Sequence, residues 1–144
     1  MTIAINVEEF LGGAAVTGQK IESEMDLYEL SAAGLPKRAL TNLSAKLDLP
    51  LRAMAQLLRL GERTIQRKKE QDLLDTDASE QVLQIAVVYA TGAALFGSIE
   101  AFQRWMTVEN IALGGKKPLD LLPSRYGARL ILDILGRIET GVYS

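Results

Sequence analysis

Residues 51–70 run LRAMAQLLRLGERTIQRKKE, and the fold turns on how this stretch divides. Met54, Leu57 and Leu58 recur at the spacing that gives a helix one apolar face, and Ala55 offers a small contact point. Leu60 then sits under a turn, and Ile65 anchors a second helix on the same core, so two short helices packed across a tight turn account for the pattern. Gly61, Glu62, Arg63, Gln66 and Arg67 are left facing outward. The paired donors of arginine suit the acceptors of guanine, and glutamine suits adenine, while Arg52, Arg59, Lys68 and Lys69 stand where phosphates would be neutralised. The same spacing also describes a helical hairpin whose charges are merely solvated. Gly61 can occupy the cap position of the second helix but brings no side-chain acceptor.

The charge around this hairpin is segregated. Residues 1–34 hold one basic and six acidic side chains, residues 35–72 hold nine and four, and residues 73–144 hold six and eight. A basic island in a chain of net charge −2 suggests a local polyanion contact, because a surface serving only solubility mixes the signs. No sustained alternation of β-branched residues and no Asn-Gly or Asp-Gly turn marks a strand or hairpin. The fold class expected is all-α, with helices near residues 24–33, 36–47, 51–58, 62–73, 78–96, 99–107 and 124–140. Leu35-Pro36 after Gly34, and Asp48-Leu49-Pro50, each end one helix and begin the next with proline in its first turn. Asp77 with Glu80 resembles a capping box, and Ser98 can cap the helix that follows. Gly12, Gly13 and Gly18 suggest a loosely structured extension over the first 20 residues.

Composition removes whole classes of chemistry. The 144 residues include no cysteine and no histidine, which excludes disulfides, thiolate metal sites, zincin sites and histidine-based triads. Glu100, Glu109 and Asp120 lie on separate segments with no recognisable pairing, so no enzyme, catalytic residue, metal or cofactor is expected. Glu8 and Glu9 interrupt what would be a signal peptide, and none is expected. The uncharged run over residues 81–99, QVLQIAVVYATGAALFGSI, is weakened by Gln84, Thr91 and Gly92 and suits a buried central helix better than a membrane span. A cytoplasmic location without a membrane partner follows as the expectation.

Beyond Asp72 the pattern becomes that of an apolar bundle. Val82, Ile85, Ala86, Tyr89, Ala93 and Phe96 recur at helical spacing; Phe102, Trp105 and Met106 offer one packing surface, and Leu130, Ile131, Ile134, Leu135 and Ile138 another. Arg125, Arg129, Asp133 and Arg137 follow one another on the opposite ridge. Between them, residues 110–123 read NIALGGKKPLDLLP. This segment lacks the spacing of a phosphate-binding loop and no strand precedes it, so a nucleotide site is not expected. Lys116 and Lys117 suit a solvated loop.

Two resemblances connect these parts. The pattern A-xxx-L…G-x-R-T-I-x-R resembles the Xre-type helix-turn-helix, with Arg59 where a turn glycine is common. The run LFGSIEAFQRWMTVENIALGGKKPLDLLPSRYGARLILDILGRIETGVYS resembles the toxin-binding domain of the Xre/MbcA/ParS antitoxins, through Phe96-Gly97, Ala101, Trp105, Asn110, Leu113-Gly114-Gly115, Pro118-Leu119-Asp120-Leu121-Leu122, Gly127, Leu135 and Gly141-Val142-Tyr143. The resemblance implies an N-terminal extension at 1–22, a helix-turn-helix DNA-binding region at 23–74 and a toxin-binding domain at 75–144. It further implies a cognate RES-domain toxin that consumes NAD, held inactive by a domain covering its active-site cleft, with the complex repressing its own operon. If so, Arg137, Glu139, Gly141, Val142, Tyr143 and Ser144 form the natural plug, although Tyr143 fits a frayed end equally well. Two-fold operator DNA calls for a homodimer, its interface in the C-terminal bundle or in residues 24–47. The alternative is a stand-alone helix-turn-helix regulator with a dimerising C-terminal bundle.

Overall fold

Each helix begins and ends on identifiable local chemistry. In the computed structural model, which describes residues 7–141, Ser23 opens a helix with a reciprocal capping box. Its Oγ accepts from the Asp26 N–H at 3.2 Å, and its own N–H donates to Asp26 Oδ2 at 3.1 Å. Among the described residues the elements are α1 (Ala14–Thr17), α2 (Glu24–Ala33), α3 (Lys37–Leu47), α4 (Leu51–Leu58), α5 (Glu62–Gln66), α6 (Thr76–Phe96), α7 (Ile99–Met106), α8 (Pro118–Leu121) and α9 (Arg125–Thr140), with 3-10 turns at Val7–Leu11 and Ile111–Leu113 and no strand. The all-α expectation holds. The chain divides into two compact units, and the division falls within α6, between Ala86 and Val87.

In the N-terminal unit, α3 and α4 end alike. Asp48 and Arg59 take left-handed backbone at φ 53° and 56°. The next N–H groups, of Leu49 and Leu60, reach back to Ser44 O and Ala55 O at 3.0 Å. These are Schellman closures without glycine, each costing roughly 1–2 kcal/mol of backbone strain. Inside them the core is continuous: Leu40, Leu43, Leu47, Met54, Leu57, Leu58, Ile65 and Val82 are buried. The division beyond Leu74 has a physical reason, since the first turns of α6 serve this unit. Ser79 Oγ accepts the Leu35 N–H at 2.9 Å, and Gln81 Nε2 donates to Leu57 O at 2.9 Å.

Three expectations are corrected. The helix expected over 62–73 stops at Gln66, because residues 70–72 supply backbone acceptors to the start of α3 rather than to their own helix. Asp72 O takes the Lys37 N–H at 2.8 Å, and Glu70 O takes the Arg38 N–H at 2.9 Å. Second, α6 starts earlier than Asp77: Asp75 is the capping residue, its Oδ1 accepting the Ala78 N–H at 2.8 Å. Third, residues 7–21 are not loose. Val7, Leu11 and Ile21 are buried, Asn42 of α3 donates to Leu11 O at 3.1 Å, and the Lys46 ammonium lies 5.6 Å from the centre of the Phe10 ring. Gly12, at φ 106°, lets the chain pass so close to Asn42 that a Cβ there would collide with that side chain.

The C-terminal unit is built on aromatic packing and close backbone approach. Phe102 stacks on Trp105 with centroids 5.7 Å apart and meets Tyr89 edge-on at 5.3 Å. The Phe102 ring lies directly over Gly92, where any Cβ would collide with it. Ser98 caps α7 as expected, accepting the Ala101 N–H at 3.0 Å. On α9, Ile131, Ile134 and Leu135 are buried, but Leu130 is half exposed and joins the outer ridge. Gly127 lies against the Leu121 carbonyl, whereas Gly136, on the same helix, has open space where a Cβ would stand. Gly127→Ala is expected to lower stability by about 2 kcal/mol or more, since the obstacle is backbone. Gly136→Ala is expected to raise it by about 1 kcal/mol. Urea unfolding of both variants checks the pair.

Candidate functional site

The geometry of the α4–α5 pair follows from its buried side. Met54, Ala55, Leu57, Leu58 and Ile65 are all buried, as their spacing predicts. Gly61 stands at the cap of α5 with φ −71° and ψ 141° and contributes no side-chain hydrogen bond. Of the nine residues expected to meet DNA, eight are exposed: Arg52, Arg59, Gly61, Glu62, Arg63, Gln66, Arg67 and Lys69. The ninth, Lys68, is half-buried, and its ammonium donates to Leu73 O at 3.4 Å. Arg63 and Arg67 lie one turn apart on one face, with the Arg67 N–H donating to Arg63 O at 3.0 Å.

Lys68 and Lys69 belong to a turn beyond α5 rather than to the helix. That turn is tied down at several points. The Lys69 N–H donates to Asp72 Oδ2 at 2.8 Å. The Lys37 ammonium donates to Lys68 O at 2.9 Å and lies 4.0 Å from Glu70 Oε1. Thr41 Oγ1 donates to the same carboxylate oxygen at 3.2 Å. Lys37 is therefore a brace, although it counts among the charges of the basic island. Two exposed residues here escaped sequence reasoning: Thr64 on α5 and Arg38 beside the Glu70 carbonyl. Arg38 was visible only as one more charge in the island, because its place beside the turn depends on residues far along the chain.

In the C-terminal unit the expected plug residues separate. Arg137 and Glu139 are both exposed on α9, but residues two apart on a helix do not share a face. Gly141 is exposed and closes α9 in left-handed conformation at φ 76°. Val142, Tyr143 and Ser144 lie outside the described residues. Sequence reasoning missed a set of exposed apolar side chains here: Val108, Ile111, Tyr126 and Leu130. Helical spacing places Leu130 in the core stripe, but it is half exposed. Burial pushes the Tyr89 phenol up to about 12, while its hydrogen bond to Gln103 Oε1, at 2.7 Å, pulls it part of the way back. It is neutral at physiological pH and serves packing. Among the described residues no group of three or more acidic side chains converges to hold a metal ion, and no single helix is long and apolar enough to cross a membrane.

Comparison with known proteins assigns both units. Residues 26–87 match the antitoxin Xre-like helix-turn-helix domain. Residues 91–141 match the antitoxin Xre/MbcA/ParS C-terminal toxin-binding domain. A relative named Antitoxin Xre, from Yersinia enterocolitica serotype O:8 / biotype 1B, is 30% identical over 95 residues, which is 62% of this chain. The match takes in 64% of that relative's length. Such proteins are regulatory binding proteins rather than catalysts. The chain therefore carries an antitoxin Xre-like helix-turn-helix domain followed by an antitoxin Xre/MbcA/ParS C-terminal toxin-binding domain.

Proposed function

We propose that this chain neutralises a RES-domain toxin that consumes NAD by covering its active site, and that it represses its own operon through α4 and α5. The observation that carries this is the pairing, in one chain, of a solvent-facing basic hairpin with a separate unit matching a toxin-binding domain. Arg63, Gln66 and Arg67 read bases, with Glu62 and Gly61 beside them; Arg52, Arg59, Lys68 and Lys69 contact phosphates. Function divides within α6, with the N-terminal unit serving DNA and the C-terminal unit the toxin, which moves the boundary expected after residue 74 to between Ala86 and Val87. Arg137, Glu139 and Gly141 lead into the segment Val142, Tyr143 and Ser144, which enters the toxin's cleft.

The protein acts as a cytoplasmic homodimer, because a two-fold operator needs two recognition helices. The exposed Met25 and Tyr28 of α2 support placing its interface in residues 24–47. A stand-alone regulator with a dimerising C-terminal bundle is the second reading, and the helix-turn-helix supports it equally.

Arg63→Ala with Arg67→Ala is expected to weaken operator binding by about 1–3 kcal/mol for each base contact, while neutralisation of the toxin is retained. Mobility shift and growth rescue, run side by side, check this. A chain ending at Gly141 keeps the left-handed cap of α9 and removes only residues 142–144. Co-expressed with the product of the adjacent reading frame, it is expected to lose rescue of growth and of intracellular NAD. Full rescue would remove these residues from the blocking element, and a neighbour harmless on its own would favour the stand-alone regulator.

A further inference from the structure

The loop between α7 and α8 holds out an apolar side chain that folding does not use. Ile111 is 96% exposed and Val108 62% exposed. A single exposed isoleucine is ordinary on a protein surface. What distinguishes this one is its frame.

Asn110, the residue before it, is buried and closes the loop through its N–H, its carbonyl and its side-chain oxygen. Its N–H donates to Lys116 O at 3.0 Å, and its carbonyl accepts from Leu113 N–H at 3.0 Å and Gly115 N–H at 2.9 Å. Its Oδ1 accepts from Ala112 N–H at 2.9 Å. Gly114 and Gly115, at φ 69° and 82°, return the chain, and buried Leu113 and Pro118 pin the inner side. Ile111 is therefore held at one position by a backbone whose hydrogen bonds are already made. An apolar anchor fixed in advance loses little conformational freedom on binding. Lys116 and Lys117 of the same loop are exposed, as are the carboxylates of Glu109 before it and Asp120 after it.

We propose that Ile111 anchors this unit in an apolar pocket of the toxin. The inference rests on the reading that the partner is a toxin, and this loop lies inside the residues that match the toxin-binding domain. The match to a toxin-binding domain favours the toxin over a second copy or DNA as the occupant, and self-association and operator binding report on those two.

The test is affinity of the full chain for the purified product of the adjacent reading frame, measured by calorimetry for wild type, Ile111→Asp and Ile111→Leu. Thermal midpoint, operator binding and sedimentation are followed in parallel. Ile111→Asp is expected to bind about 30-fold more weakly or worse, as loss of a central anchor does. Its melting, operator affinity and self-association should be unchanged, and Ile111→Leu should bind as wild type does. Wild-type affinity in Ile111→Asp would overturn the anchor while leaving the toxin reading intact. Loss of self-association in place of toxin affinity would make a second copy the occupant and overturn it too. A wild-type chain that does not bind the neighbour would instead overturn the toxin reading, and the anchor with it.

Discussion

Pro36 stands in front of α3 with no side-chain oxygen to offer, and the N-terminal unit is organised around the N–H groups this leaves without partners. A helix start needs acceptors, and here they come from far along the chain: the carbonyls of Asp72 and Glu70 take the Lys37 and Arg38 N–H groups. Two consequences follow. The recognition helix ends at Gln66, since residues 70–72 cannot hold both an α-helical path and this position. The chain then runs antiparallel past Leu35-Pro36, with Leu74 N–H on Leu35 O at 2.7 Å, and is delivered into α6. The outward side chains of α5 are thus presented on a short helix held at its far end by the brace of Lys37, Thr41 and Glu70.

The C-terminal unit uses a different constraint, close approach across glycine. Phe102 packs on Gly92 and the Leu121 carbonyl on Gly127. Tyr89, Phe96 and Trp105 pack against Phe102, and the Tyr89 hydroxyl donates to Gln103 Oε1. A core made this way leaves charged and apolar side chains on its outer surface. The exposed side chains of the 108–117 loop and of α9 are the consequence.

Much of the fold was legible because it depends on local pattern. The core face of the hairpin, from Met54 to Ile65, follows from helical periodicity, and the end of α2 and the start of α4 follow from Gly34 and from Pro50. What was not legible depends on partners distant in sequence. Residues 67–72 have helical propensity, and nothing local reveals that α3 takes their carbonyls. Gly12 suggests a flexible leader until Asn42 is seen against it. Leu130 fits a helical stripe on either side of its boundary, and only packing decides that it faces out. For the candidate site, the outward face of α5 was readable from the side chains that cannot be buried. The bracing role of Lys37 and the exposure of Ile111 were not, because both are set by the shape of a turn.

On the proposed function, one chain carries two separate binding surfaces, one for DNA and one for a toxin. Hydrogen exchange of the full chain separates them, comparing the free protein with its operator-bound form and with its complex with the adjacent gene product. DNA is expected to slow exchange over residues 51–69 and to leave residues 108–141 unchanged, while the protein partner does the reverse. Protection of the same residues by both ligands, or protection of 108–141 by DNA alone, would contradict it.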